Sequence, residues 1–571
     1  MLLFLWSACN DDAASVTKST IFTGRIEASK SVYKPNESVD ITLFLNNNTF
    51  DEIRVTYKYL TTTLKEETIN TTGTTTLTWQ PPTDDFKGYA IEFEFINDGE
   101  VVDYASTAID VSSDWTKFPR YGFLSKFPTM SAADIDAVLK KLNQYHINGL
   151  QFYDWHNKHH SPLKMDGSLP ATTWQDIARR DIYFNTVESY IEAAKEYGMA
   201  SMSYNLLYGT WSDYAADGVA DEWMIYNDPN HQDVNKHDLD DNWALSDILL
   251  ADPSNTDWQT YIFDKTALIY QHLDFDGWHL DQLGDRGTLY KYDGSSIAMR
   301  NTYASFLDNL RSEFSDKKMV LNAVNQYGQP QILGTDVDFA YTEVWPPNNK
   351  YADLATIIRN NSTYNNQTNT VLAAYLNYDL ANNQGAFNDA GVLMADAVIM
   401  AFGGAHLELG EHMLGKEYFP NNNLSMSSSL ERRLTEYYDF MVAYQNILRD
   451  GGTITLNTNI TSTDVQIEDW QPTLGKISTF KRSVGSITAY HLLNFDGASS
   501  LEWRDVDGSQ NKPIIKENFT VTLPISQVNK ITYTSPDWRD GVQKDLDFSI
   551  TGGSCTVSIP YLEYWGVLIV E

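Results

Sequence analysis

The chain of 571 residues holds two cysteines, Cys9 and Cys555, which excludes a disulfide framework. It is also poor in positive charge. Lys and Arg number 41 against 76 Asp and Glu, and the resulting net charge of −35 repels polyanions, which excludes nucleic acid as a partner. No apolar run approaches the roughly 18 residues that cross a bilayer. A Gly-rich phosphate loop, a nucleophile elbow and a Cys-x-x-Cys are all missing, as is any internal repeat of about 20 to 50 residues. What remains is a globular composition, 42% hydrophobic and 20% charged, long enough for three to four domains at about 150 residues each. Aromatics make up 13%. On an acidic surface they fit partners that stack on rings and hydrogen-bond to carboxylates, as neutral sugars do.

The first residues, Met1-Leu-Leu-Phe-Leu-Trp-Ser-Ala-Cys9-Asn-Asp-Asp, resemble the cleavage and lipidation site of bacterial lipoproteins. The resemblance implies a lipid on Cys9, with residues 1–20 comprising a signal remnant and, from residue 10 to about 20, a polar tether. Asn10-Asp11-Asp12 is similar to the acidic signal that sends such proteins to the outer face of the outer membrane, so a cell-surface lipoprotein is expected.

Three textures follow. Residues 21–112 alternate with period two, as in Val39, Ile41, Leu43, Leu45, then Ile53, Val55, Tyr57, Tyr59, then Tyr89, Ile91, Phe93, Phe95. Turn-formers between these runs predict an immunoglobulin-like β-sandwich. Residues 113–450 alternate short apolar strands with amphipathic helices, one starting at the N-cap Ser131. Strands are expected near 148–153, 200–205, 246–251, 276–281, 319–325, 338–343, 371–377 and 397–402, which predicts a (β/α)8 barrel closed by a helix around Ser429–Leu448. Residues 451–571 return to β texture, a second, C-terminal β-sandwich.

In a barrel the chemistry sits where strands end. Asp281 closes the fourth expected strand and Glu343 the sixth, so two carboxyl groups share one rim and could flank a sugar ring as a retaining glycosidase requires. Asp276, five residues earlier, falls at the opposite end. The first expected strand runs into Tyr153-Asp154-Trp-His156-Asn-Lys158-His159-His160, and the eighth into His406-Leu-Glu408. Asp154, His156 and Lys158 are candidates for sugar hydroxyls, as are His406 and Glu408. Asn205, Tyr208, Gln282, Asn322, Trp345, Asn377 and Tyr378 stand at other strand ends. Barrel metallohydrolases start from His-x-His on their first strand, and Asp154-Trp155-His156 is not that, so no metal or other cofactor is expected.

Asp-Gly-Trp-His-Leu-Asp281-Gln-Leu-Gly, Tyr-Thr-Glu343-Val-Trp and Tyr-Asp154-Trp-His-Asn-Lys-His-His resemble the motifs of glycoside hydrolase family 66, the endo-dextranases and their cyclising relatives. The resemblance covers nearly the whole chain and implies the same three-domain order. It also implies Asp281 as nucleophile, Glu343 as general acid/base, and the Tyr153–Lys158 motif as the wall of the −1 subsite. Dextran and isomaltooligosaccharides are then the expected partners, cut at α-1,6 bonds. Cycloisomaltooligosaccharide glucanotransferases share both carboxylates but insert a module of over a hundred residues into the barrel. The longest interstrand stretch here, roughly 206–245, is too short for it. Two rival readings remain, a noncatalytic glycan-binding lipoprotein and a metal-dependent barrel hydrolase.

Overall fold

The structure is a computed structural model that describes residues 24–46, 50–71 and 73–571; Cys9 and its tether lie outside the described residues. The period-two runs form two antiparallel sheets. Arg25–Ala28, Val39–Phe44 and Thr75–Trp79 make one; Thr62–Ile69, Glu52–Tyr59, Lys87–Asn97 and Glu100–Val111 make the other. Val39, Ile41, Leu43, Ile53, Val55, Tyr57, Ile91, Phe93 and Phe95 all turn inward and are buried in one core, as alternation requires.

The central region alternates strand and helix eight times. Its strands are β1 (Tyr121–Leu124), β2 (Gly149–Phe152), β3 (Ala200–Leu206), β4 (Gly277–Asp281), β5 (Lys318–Leu321), β6 (Ala340–Glu343), β7 (Thr370–Ala373) and β8 (Ala405–His406). The helices that follow them are α1 (Ala132–Gln144), α2 (Phe184–Glu196), α3 (Thr256–His272), α4 (Tyr303–Glu313), α5 (Gln329–Leu333), α6 (Tyr351–Tyr364), α7 (Asp389–Ala401) and α8 (Ser428–Ala443). Strands β1 to β5 pair in parallel, as do β6 to β8. An Asn322–Tyr341 bridge joins β5 to β6, and the Phe123 N–H reaches the Leu409 carbonyl at 3.1 Å to join β1 to the end of β8, so the strands close into a ring. Ser131 caps α1 as expected, with Asp134 completing a capping box.

Three sequence expectations are corrected. The first strand of the ring is Tyr121–Leu124, so the expected first and second strands are β2 and β3. The run 246–251 is not in the ring: Ile248–Leu250 pairs antiparallel with Gly209–Thr210 and Lys236–His237 inside the loop after β3. The run 397–402 belongs to α7, in which every residue from Ala390 to Ala401 is buried. A helix buried on all sides has no polar stripe, so its apolar run reads as a strand.

After residue 450 a seven-stranded sheet, with Ile477–Val484, Ile487–Asn494 and Trp565–Val570 among its strands, faces a three-stranded sheet of Lys516–Leu523, Ser554–Leu562 and Phe548–Thr551. Both flanking units are stapled to the ring by buried arginines. Arg120 donates to the carbonyls of His146 (2.6 Å), Phe118 (3.0 Å) and Ser31 (3.1 Å) and pairs with Asp110 at 2.8 Å. Arg433 of α8 pairs with Asp537 at 2.5 Å and Glu563 at 3.1 Å. Replacing Arg120 with Met leaves Asp110 a buried charge without its ionic partner. The expected cost is about 3 to 5 kcal/mol, seen in denaturant titration as an earlier loss of structure; an unchanged midpoint would contradict the staple.

Candidate active site

Strands β4, β5 and β6 are neighbours, and each ends on a polar group at the same rim: Asp281, Asn322 and Glu343. The Asn322 amide Nδ2 lies 2.8 Å from Asp281 Oδ1 and 3.1 Å from Glu343 Oε2. One nitrogen touching both holds those two oxygens within roughly 6 Å of each other, near the carboxyl spacing of about 5 to 5.5 Å that retaining glycosidases use. Asn322 Oδ1 accepts from the Glu343 backbone N–H at 3.2 Å, which fixes the amide's orientation.

The two carboxyls are otherwise treated differently. Asp281 accepts three donors: Asn322, the Tyr204 hydroxyl from β3 at 2.7 Å and the Gln282 N–H at 2.7 Å. Burial raises its pKa, and these three bonds to the charged form oppose the rise. Glu343 accepts the Tyr375 hydroxyl at 2.7 Å and its share of Asn322. Burial and the nearby Asp281 charge push it up to about 7. A carboxyl raised to about 7 beside one cradled by three donors is an unequal pair of the kind that a nucleophile and a general acid need.

The pair opens into a cavity of about 480 Å³. Of the residues singled out in the sequence, Tyr153, Asp154, Gln282, Asn322 and Trp345 line it with the two carboxyls. Asp154 is buried, adopts left-handed backbone (φ 48°) and has a pKa raised to about 7 by burial against the pull of Arg180, 3.9 Å away. Trp345 stands 5.6 Å from the Tyr375 ring.

The other candidates for sugar contact lie outside the cavity lining, and most have a packing duty that accounts for them. His156 is fully buried against His159 and, by burial, held down to about 4. Lys158 bridges Asp213 (2.5 Å) and Asp217 (2.6 Å) at the surface. Asn205 donates to the His159 carbonyl, and the Tyr208 hydroxyl accepts the Leu283 N–H. Asn377 donates to Asp505 of the C-terminal unit. His406 and Glu408 are sealed behind β8. Tyr378 also lies outside the lining, its hydroxyl on Glu417.

Sequence reasoning missed Tyr204, Tyr375, Trp243 and Tyr418 and did not choose His159 from the first motif as a sugar contact; all five line the cavity. His159 Nδ1 accepts the Trp211 indole N–H at 3.0 Å, so its hydrogen sits on Nε2 and it acts as a neutral donor. Trp243 and Tyr418, 41% and 37% exposed, come from the loops after β3 and β8 and meet with ring centroids 6.1 Å apart. Exposed aromatic faces at a cavity mouth suit the stacking of sugar rings.

Residues 28–569 match the model of "Glycosyl hydrolase family 66". The chain belongs to glycosyl hydrolase family 66. A cycloisomaltooligosaccharide glucanotransferase of Niallia circulans is 25% identical over 707 aligned positions, spanning 96% of this chain and 71% of that protein. A dextranase of Streptococcus salivarius is 25% identical over 572 positions, spanning 85% of this chain and 67% of its own length. The crystal structure of a Paenibacillus cycloisomaltooligosaccharide glucanotransferase complexed with cycloisomaltoheptaose superposes with a TM-score of 0.88 at 25% identity, over 95% of this chain and 99% of that one.

The family 66 site makes a prediction of its own. Asp281→Asn removes a negative charge beside Glu343 with little change of shape. The Glu343 carboxyl should then titrate lower, towards its ordinary value, in carbon-13 NMR of the labelled side chain. A position unmoved from about 7 would contradict the Coulombic part of its shift.

Proposed function

We propose that this family 66 chain is an endo-acting, retaining hydrolase that cuts α-1,6-glucosidic bonds of dextran to isomaltooligosaccharides. The observation that supports the reading is the shared Asn322 amide, which brings the two carboxyls within roughly 6 Å of each other while Asp281 receives three donors and burial with the Asp281 charge raises Glu343 to about 7. In the first step the Glu343 proton passes to the glycosidic oxygen, the C1–O bond breaks and Asp281 Oδ bonds to C1. In the second, ionised Glu343 takes a proton from water, whose oxygen displaces Asp281 with a second inversion. The α-glucan substrate is proposed from the names of the relatives, a dextranase and a cyclising glucanotransferase. We read the strand ring as a (β/α)8 barrel of residues 113–450, between an immunoglobulin-like sandwich (21–112) and a C-terminal sandwich (451–571).

Two features favour internal hydrolysis over cyclisation. An alignment of 707 positions exceeds this chain's 571 residues, so the cyclising relative carries more than a hundred positions without a counterpart here. A second groove, of about 810 Å³, shares Leu283, Val324 and Trp345 with the catalytic cavity, so the cleft continues past Glu343 and suits a chain bound along its length. The noncatalytic reading is disfavoured by the presence of both carboxyls in unequal surroundings. At the N-terminus we propose a lipid on Cys9 that holds the enzyme at the outer surface, where a polymer too large to enter the cell is cut; several acyl chains on one cysteine anchor firmly where one does not.

Asp281→Asn should cost several orders of magnitude in turnover on dextran without loss of fold, whereas retention of more than about a tenth, within roughly 1.4 kcal/mol of the original barrier, would remove it as nucleophile. Glu343→Gln should impair glycosylation by dextran far more than by an activated aryl glucoside, whose leaving group needs no proton. Products should be linear and reducing; products one water lighter would establish the cyclising alternative. Cys9→Ala should release the protein into the soluble fraction, and continued sedimentation with membranes would refute the anchor.

A further inference from the structure

Behind β7 and β8 lies a charged cluster that the reaction as written does not use. Asp396 of α7, His406 of β8 and Glu408 just beyond it are each at most 1% exposed. Buried ionic groups of this kind are often replaceable by apolar residues at no cost to stability, so their presence calls for another reason.

The His406 ring is engaged on both sides. Nε2 lies 2.8 Å from the Ala374 carbonyl, which only accepts, so Nε2 carries hydrogen. Nδ1 lies 2.8 Å from Asp396 Oδ1 and 3.3 Å from Glu408 Oε2, and ionised carboxylates also only accept. Against ionised partners the ring is an imidazolium, and burial and the Glu408 charge raise the Asp396 carboxyl itself to about 7. Burial opposes the ring's charge, but Glu408 and Asp396 outweigh burial and hold its pKa well above the ordinary histidine value. Tyr438 of α8 donates to Glu408 Oε1 at 3.1 Å. Asp396, Glu408 and Tyr438 are the titratable groups that face the ring from the elements packed on it, with Tyr145, after α1, beyond Tyr438.

Ala374 is where the strand ladder gives out. β7 and β8 pair at Val371 with Ala405 and Leu372 with His406, and the Leu407 N–H still reaches the Leu372 carbonyl at 2.8 Å. Two residues on, the Ala374 carbonyl receives the His406 ring instead. The next residue is Tyr375, whose hydroxyl donates to Glu343.

We propose that Asp396, His406 and Glu408 are positioning residues that lock the Ala374–Tyr375 segment through the His406 ring and so hold the Tyr375 hydroxyl on the acid Glu343. This rests on Glu343 being the general acid. Two helices of the outer layer, α7 and α8, are thereby tied to one oxygen of the reacting pair.

The test is a double-mutant cycle on dextran. Tyr375→Phe removes the last link, and the nearly isosteric Asp396→Asn removes the first. Each should lower kcat about tenfold with KM within about twofold, and the double variant should be no more than about twofold worse than Tyr375→Phe alone, since both break one path. Because the Tyr375 bond stabilises ionised Glu343, both single variants should move the basic limb of the kcat/KM profile to higher pH. Hydrolysis of an activated aryl glucoside should fall far less than that of dextran. A merely structural cluster would lower the melting temperature and leave the limb in place. An unmoved limb, additive losses or an unaffected Tyr375→Phe enzyme would overturn the proposal. Should Asp396→Asn not fold, Glu408→Gln is held to the same criteria. Elemental analysis of the purified protein should find no stoichiometric metal; one divalent ion per chain, lost in Asp396→Asn, would overturn the imidazolium. If instead Glu343→Gln impairs both substrates equally at the glycosylation step, the assignment of the acid has failed, and not the positioning.

Discussion

Two carboxyl groups held within roughly 6 Å in a buried site cannot both carry full charge at neutral pH without large cost, and the arrangement around Asn322 resolves that conflict. Its amide gives hydrogen to both, but the remaining donors are unequal. Tyr204 and the Gln282 N–H complete a three-donor cradle for Asp281, whereas Glu343 receives Tyr375 and faces the Asp281 charge. Electrostatic asymmetry, rather than residue type, separates the two carboxyls. On the proposed assignment the same asymmetry bounds the working pH: Glu343 must keep its proton for the first step, and activity then falls as pH rises through about 7.

The geometry depends on elements far from the rim. Parallel strands β4, β5 and β6 bring Asp281, Asn322 and Glu343 to one level because each strand is paired in register with the next. The segment after Glu343 is held from the C-terminal unit: Arg504 donates to the Val344 carbonyl at 2.7 Å and lies 4.8 Å from the Trp345 ring centroid. The C-terminal β unit is thus part of the site's support. Buried arginines carry these junctions because a guanidinium can satisfy several carbonyls and a carboxylate at once.

Much of this was legible in the sequence, for a physical reason. A buried parallel strand reads as an apolar run, and a charged residue that ends it marks the rim, which is how Asp281 and Glu343 stand out. The N-terminal sheets were legible through alternation, and the C-terminal sheets through a return of short β runs. What misled was burial without pattern. The fully buried α7 imitated a strand, the loop strand Ile248–Leu250 imitated a member of the ring, and the four-residue β1 and two-residue β8 were too short to show periodicity. Within the site the errors were of one or two residues: Asn205 was chosen beside Tyr204, and Asn377 beside Tyr375. Tyr204 and Asn205 are successive strand residues that face opposite sides, so a slip of one position exchanges a cavity-lining group for a packing one; Tyr375 and Asn377 lie past the end of β7, where no period guides the choice. His156 and His159 stand in the irregular segment after β2, where no period applies, and only tertiary structure shows that the second faces the cavity. The aromatic pair Trp243 and Tyr418 comes from loops with no periodicity to read.

The central claim is that Asp281 bonds covalently to the sugar while Glu343 moves the proton. It is met most directly by trapping the intermediate with a fluorinated glucosyl fluoride, which forms the ester quickly and releases it slowly, and mapping the labelled protein by peptide mass spectrometry. The account predicts one fluoroglucosyl group per chain, on the peptide that contains Asp281. A label on any other residue, or none from a reagent that is nonetheless turned over, would contradict it.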